Sequence, residues 1–259
     1  MKPYLSMFLM SARRTFAYRL SALIGWLGGG AILISSLSVW HALLGEGAIA
    51  GYDWPMMKAY LVVAWAAGSI GASQGDWRMA DRIREGHVAT DLTKPVDYQG
   101  SRFAEHAGGL ATEIPAILIA ASAVIAFTGS IPGPANVFLF LLSFACVVPL
   151  KFCFTYLTAM LCFWTHNFMG ISWAKDAIIW LFSGGLIPLS MLPVWLSVPA
   201  SLLPFAGITA TPAALYLGQA TGAEAARLLG LQVFWVLALW FGARLLWRGA
   251  LRALTVHGG

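Results

Sequence analysis

Between Asn136 and Trp164 the chain runs for 29 residues with a single charge, Lys151. About 20 such residues cross the hydrocarbon of a bilayer as a helix, and several comparable runs lie elsewhere in the sequence. Hydrophobic residues make up 59% of the chain and charged residues 10%, whereas soluble domains carry about 25% charge. A water-soluble fold could not cover its surface with so few charges, so the apolar surface faces lipid. The fold class expected is an all-α integral membrane protein, one membrane domain over residues 1–259.

Read in order, the runs predict six spans: Leu20–Leu44, Met57–Gln74, Gly108–Phe127, Asn136–Trp164, Ala174–Leu192 and Leu228–Leu246. Ahead of them, Leu5, Phe8, Leu9, Ala12 and Phe16 fall on one helical face, with Lys2, Arg13, Arg14 and Arg19 beside them. That pattern suits an interfacial helix over residues 1–19, basic side toward anionic headgroups; a plain basic flank of the first span is the simpler reading. Before the last span, Pro188, Pro193, Pro199, Pro204 and Pro212 forbid one continuous helix. Residues 194–217 are expected to form short helices, Phe205 among them, that enter the outer leaflet and return; the simpler reading is a loop on the outer face. Backbone at that depth must be shielded by protein or water. Gly25 and Gly29, and again Gly71 and Gly75, stand four apart, a spacing that lets helices approach closely and marks the first two spans as candidate dimer faces.

The basic residues orient this topology. Thirteen fall on one side, among them Lys2, Arg13, Arg14, Arg78, Arg82, Lys175, Arg244 and Arg248, and two on the other, Lys58 and Arg227. Lys and Arg are retained in the cytoplasm, so both termini are placed inside. The same rule accounts for the net charge of +5, and no basic run with interleaved aromatics suggests nucleic acid as a partner. Cys146, Cys153 and Cys162 have no CxxC spacing and read as reduced, small apolar residues. His41, His87, His106, His166 and His257 are scattered, without metal-ligand spacing. No phosphate-binding GxxxxGK[ST] loop, HExxH or GxSxG appears, and no catalytic constellation is expected in this chain.

One polar island interrupts the apolar runs, Asp76–His106. It holds five basic and six acidic residues: Arg78, Arg82, Arg84, Lys94 and Arg102 against Asp76, Asp81, Glu85, Asp91, Asp97 and Glu105. Trp77, Ala80 and Ile83 recur every third residue, which predicts an amphipathic extension of the second span. Gly86 can end it. Val88–Leu92 can form one turn of helix before Pro95 stops it, presenting Glu85, His87, Asp91 and Lys94 to the cytoplasm. An ordinary solvated loop is the plain alternative.

Glu85-x-Gly86, then Leu92-x-x-Pro95-Val96, resembles the cytoplasmic loop of ABC-2 type permeases, the membrane subunits of many bacterial ABC exporters; His87 departs from the threonine common there. The stretch Ser183-Gly184-Gly185-Leu186-Ile187-Pro188, with Pro193 and Pro204-Phe205 after it, and the terminal Gly258-Gly259 are similar to a branch of the same family. The resemblance implies an ATP-driven exporter subunit in a bacterial inner membrane. Its loop residues Arg84, Glu85, Gly86, His87, Asp91, Leu92, Lys94 and Pro95 would form a coupling helix seated on a separate ATPase. Two ATPase copies, carrying ATP and Mg, would serve two permeases, identical or paralogous, among membrane lipids. Residues Pro188, Pro193, Pro204, Phe205 and Pro212 would close the outer mouth. The rival classes are a carrier or channel working without ATP and a lipid-modifying membrane enzyme.

Two ionisable groups fall inside predicted spans, Glu113 and Lys151. A charge at the bilayer centre costs about 2.5–3.5 kcal/mol on insertion scales. Structural pairing or snorkelling is the favoured expectation for them, ahead of a place on the translocation path. Aromatic residues of the fourth span, Phe152, Phe154, Tyr156, Phe163 and Trp164, could contact an apolar substrate; packing or lipid contact is the favoured expectation.

Overall fold

The structure is a computed structural model that describes residues 2–17, 19–45, 47–71, 75–165 and 168–252. His166, His257, Gly258 and Gly259 lie outside the described residues, as do the side chains of Phe16 and Asp76. Among the described residues the chain is helical throughout, without a named strand. The α-helices are α1 Lys2–Ala17, α2 Arg19–Leu44, α3 Trp54–Ser69, α4 Gly75–Arg84, α5 Val88–Leu92 and α6 Tyr98–Thr128. They continue as α7 Val137–Met160, α8 Phe168–Phe182, α9 Val194–Leu202, α10 Ala210–Tyr216 and α11 Gly222–Arg252.

Helix α7 is the centre of the bundle and packs against α4, α6, α8, α10 and α11. Its Phe152, Cys153, Tyr156 and Met160 are fully buried. Burial raises the ordinary role of these aromatics to core packing, as their sequence suggested. The loops separate into two ends. At one, Lys58 donates to the carbonyls of Thr128 and Ser130 (2.9 and 3.0 Å), Tyr52 to Gln219, and Tyr216 to Pro132. At the other lie α1, the polar island, the α7–α8 connection and the C-terminal part of α11, joined by contacts such as Arg244 to Asp97 (3.2 Å) and Trp77 to Phe168.

Among the described residues, four helices are long and apolar enough to cross a membrane: Ala22–Leu44, Tyr98–Thr128, Val137–Phe163 and Gly222–Leu251. α3 and α8 have 16 and 15 residues. At 1.5 Å per residue they rise about 24 and 22 Å, short of the roughly 30 Å of hydrocarbon.

The last helix runs Gly222–Arg252, beyond the expected 228–246 at both ends, and three further boundaries move, each for a local reason. The third long helix starts at Tyr98 rather than Gly108, because Asp97 caps it by accepting from the Gly100 amide (2.8 Å). The last nine residues of the island are therefore helix, and several of them are buried. The second helix stops at Ser69. Ile70 turns to extended backbone and Gly71 adopts φ +70°, so α4 is a separate helix and not a continuation of α3. The fifth helix runs Phe168–Phe182 rather than 174–192. Gly184 at φ +83° ends it, and Lys175 and Asp176 are paired inside the helix at 3.1 Å.

The glycine spacing also serves another end than expected. Gly29 receives the Trp65 indole, whose N–H donates to its carbonyl at 2.8 Å. Gly71 forms a chain break. Close approach occurs at a glycine the spacing did not single out: a Cβ on Gly108 would lie 2.5 Å from the Phe8 carbonyl and 2.6 Å from Ser11. This lets α1 lie along the first half of α6, where Ser11 donates to the Glu105 carbonyl. Ala12 is buried on that face, while Leu5, Leu9 and Met10 are exposed.

Candidate functional site

The island folds as two short helices around one buried carboxylate. Met79, Ala80 and Ile83 hold α4 against α7 and the turn after it; Ala80 and Ile83 face inward as expected, but Met79 joins them and Trp77, expected on that face, is 39% exposed. Gly86, at φ +74°, reverses the chain, and its amide donates to the Ile83 carbonyl (3.2 Å). Val88–Leu92 then forms the expected single turn, anchored by the buried Val88.

Asp91 is the exception to the sequence reading. It was expected to face the cytoplasm, but its side chain is 3% exposed. Arg82 donates to it through both Nε and Nη2, Lys94 donates at 2.9 Å, and the Arg102 guanidinium stands 3.8 Å away. Asp91 thus binds α4, α5, the following turn and the start of α6 together. Burial pushes its carboxyl upward, and the hydrogen bonds from Arg82 and Lys94 with the charge of Arg102 overcome that, holding it below the ordinary carboxylate range. Burial likewise works to lower the Arg82 pKa, and the Asp91 contact raises it instead.

Around this knot the other expected residues are exposed: Arg84, Glu85, Gly86, His87, Leu92, Lys94 and Pro95. Leu92 is 45% exposed at the tip. Glu85 meets His87 at 3.2 Å and Arg84 meets Asp81 at 3.8 Å, both in water, where such pairs add little. The start of α6 is held by further residues the sequence did not single out. Tyr98 stacks on Trp247 with ring centres 4.3 Å apart, and Gln99 donates to the Trp240 carbonyl. A proline two residues before an aspartate cap was the signal for this boundary.

Glu113 and Lys151 converge on the break after α3. Lys151 Nζ donates to the carbonyls of Gly68 (2.6 Å) and Ala67 (3.3 Å). Glu113 Oε2 accepts from the Gly71 amide (2.8 Å). The last carbonyls of a helix lack intrahelical partners, and in the apolar layer they must find others. A cation on the carbonyl end also opposes the helix dipole. Opposite charges from α7 and α6 therefore hold the two sides of one backbone interruption.

The proline-rich segment is folded back on the bundle through its own backbone groups. Pro188 and Pro193 precede a 3₁₀ turn and α9; Pro204 opens the 3₁₀ turn Pro204–Gly207; Pro212 lies in the first turn of α10. Gln232 of α11 donates to the carbonyls of Gly207 (2.7 Å) and Ser143 (3.0 Å), and Trp235 to that of Leu202 (2.8 Å). Tyr60 donates to the Gly184 carbonyl, and the Ala210 amide to the Ser183 carbonyl. Phe205 stacks on Phe154 at 5.1 Å. Val194 and Trp195 of α9 remain exposed.

No group of three His, Cys, Asp or Glu among the described residues could hold a metal. A family profile described as ABC-2 family transporter protein matches residues 30–258. No curated protein matches the chain. The profile spans both the island and the proline-rich segment, so the two motifs that carried the resemblance lie inside one matched region. The chain is a member of the ABC-2 transporter family, a multi-pass membrane protein of an ABC transport system.

Proposed function

We propose that this chain is the permease subunit of an ATP-driven exporter, and that the surface Arg84–His87 with Leu92–Pro95 docks on a separate ATPase. The observation that carries this reading is the Asp91 knot. A surface that transmits force has to be exposed where the partner sits and stiff where it joins the spans. Here an exposed tip is bound through a buried carboxylate to α4 and to Arg102 near the start of α6, and α6 is a 31-residue helix. A displaced tip would move that helix as a lever.

In this reading six helices cross the inner membrane of a bacterial cell, α3 and α8 being the short ones, with both termini in the cytoplasm. Two permeases, identical or paralogous, pair, and two ATPases bind ATP and Mg beneath them. Gly25, Gly28 and Gly30 leave open space beside α2, which suits a second permease there. Residues 194–217 enter the outer leaflet and return; the side-chain donors to their carbonyls supply what such backbone needs. Glu113 and Lys151 secure the α3 break and are not transport groups.

The test is isolation of the chain from its native membrane in mild detergent, with mass spectrometry of co-purifying chains, beside Glu85→Arg and Leu92→Asp variants. These positions are exposed, so the variants leave the fold intact. An ATPase that follows the parent and is lost from both variants supports docking. An ATPase retained by both would move the docking surface elsewhere. Its absence from the parent, under conditions that keep membrane complexes whole, would favour an ATP-independent carrier or a lipid-modifying enzyme.

A further inference from the structure

Helix α8, Phe168–Phe182, carries two charged residues in an otherwise apolar sequence, Lys175 and Asp176. Its ends fix its depth. Phe168, the first residue, packs edge-on against Trp77 of α4 with ring centres 5.3 Å apart, at the end of the molecule that holds the polar island. Gly184, just past the last residue, accepts from the Tyr60 hydroxyl of α3. Asp176 stands near the middle of the helix, a rise of about 12 Å from Phe168. In the six-span reading this places a carboxylate inside the hydrocarbon layer, where ionisable side chains face protein or water rather than lipid.

That carboxylate is not turned into the bundle. Phe168, Ser172 and Ile179 are the buried residues of α8, whereas the Asp176 side chain is 56% exposed. Lys175 meets it at 3.1 Å, with its own side chain only 13% exposed. Neighbours one apart in a helix do not share a face, so the lysine lies toward the covered side and the carboxylate toward the open one. Trp173 and Trp180, at helical spacing on either side of Asp176, share its side of the helix and are 67% and 53% exposed. A negative charge therefore sits between two uncovered indoles. This is the chemistry that recognises an organic cation: the carboxylate supplies the opposite charge, and the indole faces attract cations while offering apolar area.

Two coverings suit such a face, a second copy of the chain or a hydrated path. An isologous contact centred on it sets Asp176 of one copy near Asp176 of the other, like charge against like. The lysines of the other apolar helices, Lys58 and Lys151, are engaged with backbone carbonyls of their own chain and do not supply the counter-charge. We propose that the Trp173, Asp176 and Trp180 side of α8 is one wall of the translocation path between two paired permeases, and that it takes a substrate with an organic cation on an apolar body. The second copy supplies the facing wall and a second Asp176, so the path is complete only in the pair. This substrate class rests on the permease reading and deepens it.

The experiment uses the full chain in maltoside micelles and two probes of similar size and shape but opposite charge, tetraphenylphosphonium and tetraphenylborate. Equilibrium dialysis against empty micelles measures binding, and native mass spectrometry counts copies per particle. The expected result is saturable binding of tetraphenylphosphonium only. Asp176→Asn should raise its half-saturating concentration about tenfold, the scale of one lost charge contact, and Asp176→Glu should keep most of the affinity. Trp173→Leu or Trp180→Leu should raise it about threefold, the scale of one cation–π contact. Trp195→Leu, at an exposed position of α9, should change nothing. Equal binding of tetraphenylborate would overturn the site, as would an unchanged response in Asp176→Asn or an equal loss in Trp195→Leu. A change in copies per particle on Asp176→Asn, with cation binding unaltered, would show a contact between permeases and overturn the site too. Binding needs no ATPase. Asp176-dependent binding by a chain that captures no ATPase would leave the site in place and remove the ATP-driven reading; ATPase capture without saturable cation binding would do the reverse.

Discussion

The Asp91 knot and the Gly71 break do the same work in different solvents. Each fixes the chain where a helix has ended: the first after α4, in the polar island, the second after α3, in an apolar stretch. At the knot one carboxylate meets three cations, two of them on half-exposed side chains. At the break Lys151 and Glu113 are directed to backbone atoms, the carbonyls of Ala67 and Gly68 and the amide of Gly71. Water can replace a lost partner in the first case and cannot in the second. The difference predicts that substitutions at the break cost more than equivalent ones at the knot, although the knot holds more charge.

Lys151→Met should have the largest effect. It leaves two helix-end carbonyls, those of Ala67 and Gly68, without their donor, at about 1–3 kcal/mol for each unsatisfied group. Lys151→Arg keeps donors at that point and should recover part of the loss. Unfolding of the chain in nanodiscs, followed by tryptophan fluorescence, measures both. A Lys151→Met protein as stable as its parent would mean that the break needs no cap, and the contrast with the knot would collapse.

The two left-handed glycines sharpen the same contrast. Gly71 and Gly86 have nearly equal φ, +70° and +74°. The left-handed conformation costs a residue with a Cβ roughly 1–2 kcal/mol. At Gly86 nothing lies within 4 Å of that atom, whereas at Gly71 it would stand 2.6 Å from His106 Cε1 and 2.8 Å from Nε2. Gly86→Ala should therefore cost about 1 kcal/mol, and Gly71→Ala about 2–4 kcal/mol, since His106 is itself buried and cannot give way freely. Equal losses in thermal unfolding would show that the backbone term alone decides.

What the sequence revealed follows the same division. The long apolar runs disclosed α2, α7 and α11 because lipid imposes one requirement along their whole length. Gly86 and Pro95 bounded α5 because each restricts φ or its neighbour locally. The end of α3 was illegible: Ile70 and Gly71 sit in a run apolar enough to continue, and the cause of the break is the pairing of its backbone groups with Lys151 and Glu113 from helices far away in sequence. Asp91 misled for a related reason. A charge in a polar stretch reads as solvated, and only the fold brings Arg82, Lys94 and Arg102 around it. Glu113 and Lys151 were noticeable as charges in apolar runs, yet their common target could not be read from either.

Removal of the knot should be milder than loss of Lys151 and more local. Asp91→Asn keeps the size of the side chain but leaves Arg82, Lys94 and Arg102 facing a neutral group. Arg102 alone is buried among them, so most of the penalty rests there, about 1–3 kcal/mol. Amide exchange over residues 86–96 should rise, and α7 should keep its protection. In the docking reading the variant also weakens ATPase capture while Leu92 remains exposed, which separates stiffness of the tip from its contact surface. Global unfolding on Asp91→Asn would place the knot and the break on an equal footing.

The smallest effect is that of pH. The Asp91 pKa is lowered in the folded chain, so the unfolded or opened loop binds its proton more tightly than the native one. The linkage then has a fixed sign: the stabilisation is fully present above the ordinary aspartate value of about 3.9, and it fades as the pH falls through the lowered value. Exchange of the 86–96 amides, corrected for the intrinsic pH dependence of exchange, should be flat from neutral pH down to about 4 and increase below it. The Asp91→Asn chain should show no such rise. A rise of equal size in both would assign the acid response to Glu85, Asp81 or another exposed carboxylate of the island, and the knot would then hold its shape through packing of Val88 and Ile83 rather than through charge.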